Sequence, residues 1–156
     1  MLAPHDPAAE FVVTPLAVVA AGAAYPLMRE AVPGLDLRAW RRFVRRAASP
    51  RQAGRLGILT ASRPARRFPC GLLCYHRIAD PSLGDMIVAS HFAALDPLGC
   101  GPVFHALEEA LAEIARASGC QAIRAFVPPG ESGLIADLLA SGHLREGEAF
   151  LRKVGG

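Results

Sequence analysis

Between two apolar stretches of this chain stands the phrase Leu95-Asp96-Pro97-Leu98-Gly99-Cys100-Gly101-Pro102, which constrains the fold more than any other feature. Asp96-Pro97 ends the extended run 86–95, because proline has no N–H to give a strand ladder. Pro102 suits the first turn of a helix, where a missing N–H costs nothing. That helix runs to Ala117, with Val103, Leu107, Ala110, Leu111 and Ile114 as its buried stripe and Gly119 as its stop. On its outer side Glu108, Glu109, Glu113 and Arg116 face water. Strand, Gly-x-Gly loop and helix in succession aim backbone N–H groups and the positive end of a helix dipole at one small volume. Glycines at 99 and 101 let the backbone approach an anion closely, and a pyrophosphate fits the space. A plain turn is the other reading of the same residues. A Rossmann fingerprint is excluded, since it needs a third glycine and an acid closing a parallel strand roughly 20 residues later. A Walker loop fails too, because no Lys-Ser or Lys-Thr follows the glycines.

The rest of the chain supplies a sheet and its covering helices. Residues 11–16 read as a first strand and 17–32 as a helix disturbed by Pro26 and stopped by Pro33-Gly34. Asp36 caps a second helix over 37–48, whose apolar positions Leu37, Trp40, Val44 and Ala47 keep the helical period. Three apolar runs follow, 55–61, 70–78 and 86–95. The last two flank a turn rich in Pro, Gly and Asp and form an antiparallel hairpin. Residues 120–127 read as a further strand with the few polar interruptions of a sheet centre. Ser132 caps a short helix ending at Gly142, with Leu134, Ile135, Leu138 and Leu139 inward, and 148–154 close the chain as a strand. This order predicts an α/β fold of the α+β sandwich type, a mixed, mostly antiparallel sheet with helices on both faces. A chain of 156 residues fits one domain, 1–156, with no linker long enough to divide it.

Charge is unevenly spread. Residues 1–78 carry twelve Arg against four acids, and 79–156 carry five basic against ten acidic side chains, which leaves +3 overall. With 52% apolar residues, disorder is excluded as a description of the whole chain. The apolar run 11–27 is neither export signal nor membrane span. Asp6 and Glu10 stand where a signal needs positive charge, and Thr14, Pro15, Gly22 and Pro26 interrupt a run already shorter than the roughly 20 residues a span needs. A soluble, cytoplasmic protein is expected. Cys70, Cys74, Cys100 and Cys120 show neither disulfide nor zinc spacing, so buried free thiols and no metal are expected.

Together the element order and the glycine loop resemble the GCN5-related N-acetyltransferase family. The resemblance rests on Ala94-Leu95-Asp96-Pro97 at a strand end, Gly99-Cys100-Gly101 in part of a pyrophosphate loop, the helix to Gly119, the strand from Cys120, and Leu138-Leu139-Ala140-Ser141-Gly142-His143. It covers about residues 70–154 and is topological before that. It implies acetyl transfer from acetyl-CoA, as co-substrate, to an amine acceptor. The implied cofactor-binding residues are Leu95, Leu98, Gly99, Cys100, Gly101 and Val103. The pantetheine arm would lie between a splayed fourth and fifth strand, and an N–H near Leu95 would stabilise the oxyanion. The loop departs from the family in lacking its basic residue, and Leu138 stands where the family often has a tyrosine that protonates the leaving thiolate.

The amine must also lose a proton, which calls for a base titrating near neutrality. His91, on the expected fourth strand, is the first candidate and His76 on the neighbouring strand the second. Cys74 packs beside either. Asp96 either orients a substrate amine or ends the strand in a turn. Arg38, Arg41, Arg42, Arg45 and Arg46 form a basic face on helix 37–48. That face is read as solvated, as a surface for an acidic acceptor or partner, or as a nucleic-acid contact. Beside the enzyme stand a catalytically silent CoA-binding or interaction module and a basic nucleic-acid-associated protein. Homodimerisation stays open.

Overall fold

The computed structural model describes residues 10–97 and 99–154. Five strands form one sheet in the order β1-β2-β3-β4-β5: β1 Val12–Pro15, β2 Leu56–Ser62, β3 Gly71–Asp80, β4 Gly84–Ala94 and β5 Ala122–Ala125. The first four pair antiparallel with their neighbours, and β5 pairs parallel with β4. The mixed, mostly antiparallel sheet expected from the sequence is therefore the observed one.

Helices α1 (Ala21–Ala31) and α2 (Leu37–Ala47) cover one face. Asp36 caps α2 by accepting the Ala39 N–H at 2.9 Å. The period-3.6 stripe then buries Trp40 and Val44 completely, while the arginines between them stay exposed. Trp40 donates its indole N–H to the Ala21 carbonyl at 2.7 Å, which locks α2 onto α1. On the other face α3 (Gly101–Ala117) packs Val103, Leu107 and Leu111 against Leu59, Leu73 and Ile87. Gly71 makes this contact close, for a Cβ there would lie 2.2 Å from Val103 Cγ1. Only glycine lets β3 pass under the start of α3. The last helix, α4 (Ser132–Ala140), packs on α3.

Four expectations need correction. Residues 148–154 form no strand and are exposed. The preceding stretch is held beside β5 through the Arg124–Glu146 pair, two side-chain hydrogen bonds at 2.7 and 3.0 Å. The second correction follows from the first. The strand expected over 120–127 is shorter and stands at the sheet edge, not its centre, because nothing pairs with its outer side among the described residues. Thirdly, Ser132 opens α4 instead of capping it; the cap position is Glu131, whose side chain makes no capping bond. Lastly, Glu108 does not face water: its side chain is 13% exposed and lies 3.2 Å from His143 Nδ1, off line for a hydrogen bond.

Candidate functional site

Strands β4 and β5 stay together only for four residue pairs, Met86↔Ala122 to Ala89↔Ala125, and the Phe126 N–H adds one bond to the Ala89 carbonyl at 2.9 Å. Beyond Ala89 they part. Two local causes are visible. After Phe126 the chain meets Pro128-Pro129, which have no N–H to extend a ladder. On β4 the register against β3 slips between Leu72 and Cys74, so that His91 and Phe92 stand opposite Leu73 alone. This is a β-bulge, and His91 carries its strain with φ of 55°, in the left-handed region.

Past the point where the strands part, Phe92 of β4 lines a groove of about 410 Å³, whose other walls are Gly101 and Phe104 of α3 and Leu134, Asp137 and Leu138 of α4. Phe92 and Phe104 meet edge to face with ring centres 6.2 Å apart. At one end lies the first turn of α3, where the Gly101 and Val103 N–H groups have no intrahelical acceptor and Pro102 has no N–H. Phe104 already donates to the Cys100 carbonyl at 3.0 Å. The groove thus joins an apolar slot to a cluster of backbone donors. Among the described residues its formal negative charges are Asp137 and Glu108, and no basic side chain other than His105 lines it.

The residues singled out in the sequence separate into three groups. Gly101 lines the groove, and Gly99 takes the turn before it with φ of 108° and donates to the Asp96 carbonyl at 3.1 Å. Cys100 gives its thiol to the Ala94 carbonyl at 3.4 Å, tying the loop to β4. Leu98 lies outside the described residues. A second group is engaged elsewhere. Leu95 exposes its side chain, but its N–H donates to the Cys70 carbonyl at 2.8 Å and so is not free for an oxyanion. Val103 buries its side chain fully in the core, leaving only its N–H toward the groove end. Asp96 is held by Arg63 through Nε at 3.1 Å and Nη2 at 3.0 Å, with its side chain 2% exposed, which fits the strand-ending role and not amine orientation.

The third group is the titratable one. His91 is exposed at the surface, yet the desolvation that its neighbours impose pushes its pKa below 6.5, which favours the neutral imidazole at pH 7, and its Nδ1 lies 2.9 Å from Ser90 Oγ. His76 stands opposite Val88, three residues from His91 along β4 and thus about 10 Å away. The structure does not bring the two histidines together. Cys74 lies opposite Ser90, and burial pushes its pKa up to about 12, which keeps it a thiol. Among the described residues no group of His, Cys, Asp or Glu is placed to hold a metal. Phe92, Phe104 and Asp137 were not singled out from the sequence. Phe92 falls in an apolar strand and Asp137 on a helix read only for its apolar face, so neither left a signal.

No protein-family model matches the chain, and no curated protein matches it. Solved structures do. An aminoglycoside N-acetyltransferase, AAC(6')-Iy, in complex with CoA superposes with a TM-score of 0.76 at 15% identity, over 92% of this chain and 94% of that one. A ribosomal-protein-alanine N-acetyltransferase from Brucella melitensis gives 0.73 at 13%, over 93% and 99%. Glucosamine-6-phosphate N-acetyltransferase from Arabidopsis thaliana gives 0.73 at 9%, over 93% and 99%. The fold is that of the GCN5-related N-acetyltransferases. Within this acetyltransferase fold the chain is divergent. Its loop carries no basic residue, and Leu138, 8% exposed, is an apolar wall of the groove.

Proposed function

We propose that the chain, as one domain over residues 1–156, is an acetyl-CoA-dependent N-acetyltransferase acting on an amine acceptor. The observation that carries this reading is the parting of β4 and β5 beside the first turn of α3. An apolar slot that ends in free backbone donors suits a molecule with an uncharged arm and a diphosphate. Residues 99–101 and the N–H groups of Gly101 and Val103 would hold the diphosphate, and Phe92, Phe104 and Leu134 the arm. Acetyl-CoA supplies a thioester whose carbonyl carbon bonds the amine nitrogen as the C–S bond breaks. The neutral imidazole of His91 takes the proton the amine releases, and the thiolate leaves to be protonated by water, since Leu138 has no proton to give. His76 stands in reserve as base. The protein is read as cytoplasmic; among the described residues no helix is long and apolar enough to cross a membrane.

The buried, apolar Leu138 favours a second reading on the same fold, a silent CoA-binding module. One pair of measurements separates them. Acetyl-CoA at about 100 times its Kd raises stability by about 2.7 kcal/mol in either case, which a thermal shift detects. Thiol release across a panel of amines, absent in His91→Ala, is expected of the enzyme alone. No shift with acetyl-CoA would sink both.

The exposed arginines of α2 offer a surface for an acceptor or partner. Among the described residues Arg38, Arg41, Arg42, Arg45 and Arg46 make no ion pair with an acid. An acidic acceptor or partner complements that face. Salt-dependent retention on nucleic acid with no acetyl-CoA shift would support the nucleic-acid reading instead.

A further inference from the structure

Helix α2 turns one side to the sheet and the other to solvent. At about 100° per residue, its five arginines, from Arg38 to Arg46, fall within an arc of about 140°, opposite the buried Trp40 and Val44. All five are exposed and stand at mutual spacings of three and four residues, where like charges weaken a helix. Over residues 11–48 two acids, Glu30 and Asp36, stand against six arginines, and Asp36 is engaged as the cap of α2. Such a face gains from an anion laid along it.

Beside it lies an apolar surface. From Phe11 to Met28 the chain carries no charged side chain. Val18 and Val19, in the 3₁₀ turn that leads into α1, are nevertheless 44% and 97% exposed. That turn packs on α2. Gly22, one helical turn beyond Val19, is exposed too, and a Cβ there would lie 3.8 Å from Arg41 Nη2. The Arg41 guanidinium therefore overhangs the start of α1, and the valines and the arginines share one surface. Single exposed valines need no explanation, but beside a cationic helix they complete the composition of a surface that lies on a bilayer.

We infer that α2 and the turn before α1 dock peripherally on an anionic lipid bilayer. The arginines sit among its headgroups, and Val18 and Val19 enter the boundary with the acyl chains. Nucleic acid would pair with the arginines but leave the valines against charged phosphates. It would also find little to stack on, since Phe43 is half-buried and stacks on Trp40 with ring centres 6.2 Å apart. A bilayer takes both halves of the surface and asks for no fixed shape. Two weak signals, charge and apolar insertion, are what reversible attachment without a spanning helix needs. The contact lies on the sheet face that α3 does not cover, so the groove between α3 and α4 stays open and the inference stands apart from acetyl transfer.

Co-sedimentation of the full chain with phosphatidylcholine vesicles, plain or with about one-third phosphatidylserine, tests this at about 0.1 and 0.5 M salt. Retention on single-stranded DNA at matched phosphate concentration is the comparison. The variants are Val19→Asp, the milder Val19→Ser, and Arg42→Ala with Arg45→Ala, each required to keep its melting transition. Binding is expected to the serine-containing vesicles alone and should fall steeply with salt. The arginine pair should weaken it about 25-fold, fivefold for each charge lost. Val19→Asp should weaken it about tenfold and Val19→Ser less, while neither polar substitution lowers retention on DNA. No binding to anionic vesicles, equal binding to neutral ones, or full strength in the arginine or Val19→Asp variant overturns the inference. So does tighter binding to DNA than to vesicles, which would make the face a nucleic-acid contact.

Discussion

The Asp137 carboxylate stands against the first residue of α3: a Cβ on Gly101 would lie 3.5 Å from its Oδ2. A carboxylate there satisfies the positive end of the α3 dipole, so α4 supplies to the bare helix the kind of charge that a diphosphate would bring. The two anions then compete for one place. Asp137→Asn is expected to tighten acetyl-CoA by about two- to fivefold at low salt, from the ~0.3–1 kcal/mol a charge contributes at a helix end. The gain should shrink as salt rises. Calorimetric titration at two ionic strengths checks it, and weaker binding would show that Asp137 helps the ligand.

His91 carries a pH prediction. Desolvation lowers its pKa below 6.5, so the unfolded chain holds that proton more tightly than the folded one. Its contribution to stability is therefore complete above about 6.5 and is lost as pH falls from there through the lowered folded value. As base it must be neutral, so the acidic limb of kcat/KM should lie below about 6.5. His91→Ala should remove that limb and cost about 10²- to 10⁴-fold in rate. A limb that persists in the variant assigns the proton to another group.

Helix α2 and the β3–β4 hairpin were legible in the sequence because each is set by residues close together in the chain. Asp36 with the spacing of Trp40 and Val44 fixes the helix. In the hairpin, Asp80 Oδ1 accepts the Ser82 and Leu83 N–H groups in the turn before Gly84, whose φ is 69°. Parts of the site had no such local mark. The place where β4 and β5 separate depends on the bulge at His91 and on where pairing stops, and Asp137 reaches Gly101 from α4, a separate helix packed on α3. The closing strand failed for the opposite reason. Residues 148–154 have the composition of a strand, but a strand is made by its partner. Likewise Leu139, expected inward, stays half-exposed because no strand covers it.

Gly71 is a position where one methyl group decides the placement of α3. A Cβ there would meet Val103 Cγ1 at 2.2 Å and Leu107 Cδ1 at 3.2 Å. Gly71→Ala is expected to cost about 1–3 kcal/mol through overpacking. Urea denaturation of Gly71→Ala, Val103→Ala and the pair checks the cause, for removing the Val103 methyls should relieve the clash and make the pair less destabilised than the sum.

Arg63 ties three parts of the chain together at the foot of the glycine loop. It donates to Asp96 through Nε and Nη2, to Glu10 through Nη1 at 2.9 Å, and lies over the Phe11 ring at 4.7 Å. Those hydrogen bonds hold its pKa above the usual arginine range. The fork geometry is specific to guanidinium, so Lys should not replace it. Because Asp96 begins the loop that ends at Gly101, loosening it should misplace the donors at the start of α3 and leave His91 where it is. Arg63→Lys and Arg63→Gln are therefore expected to raise KM for acetyl-CoA several-fold with kcat little changed. Steady-state kinetics at varied acetyl-CoA decide it, and a fall in kcat at constant KM would mean that Arg63 bears on the reacting atoms instead of on the loop.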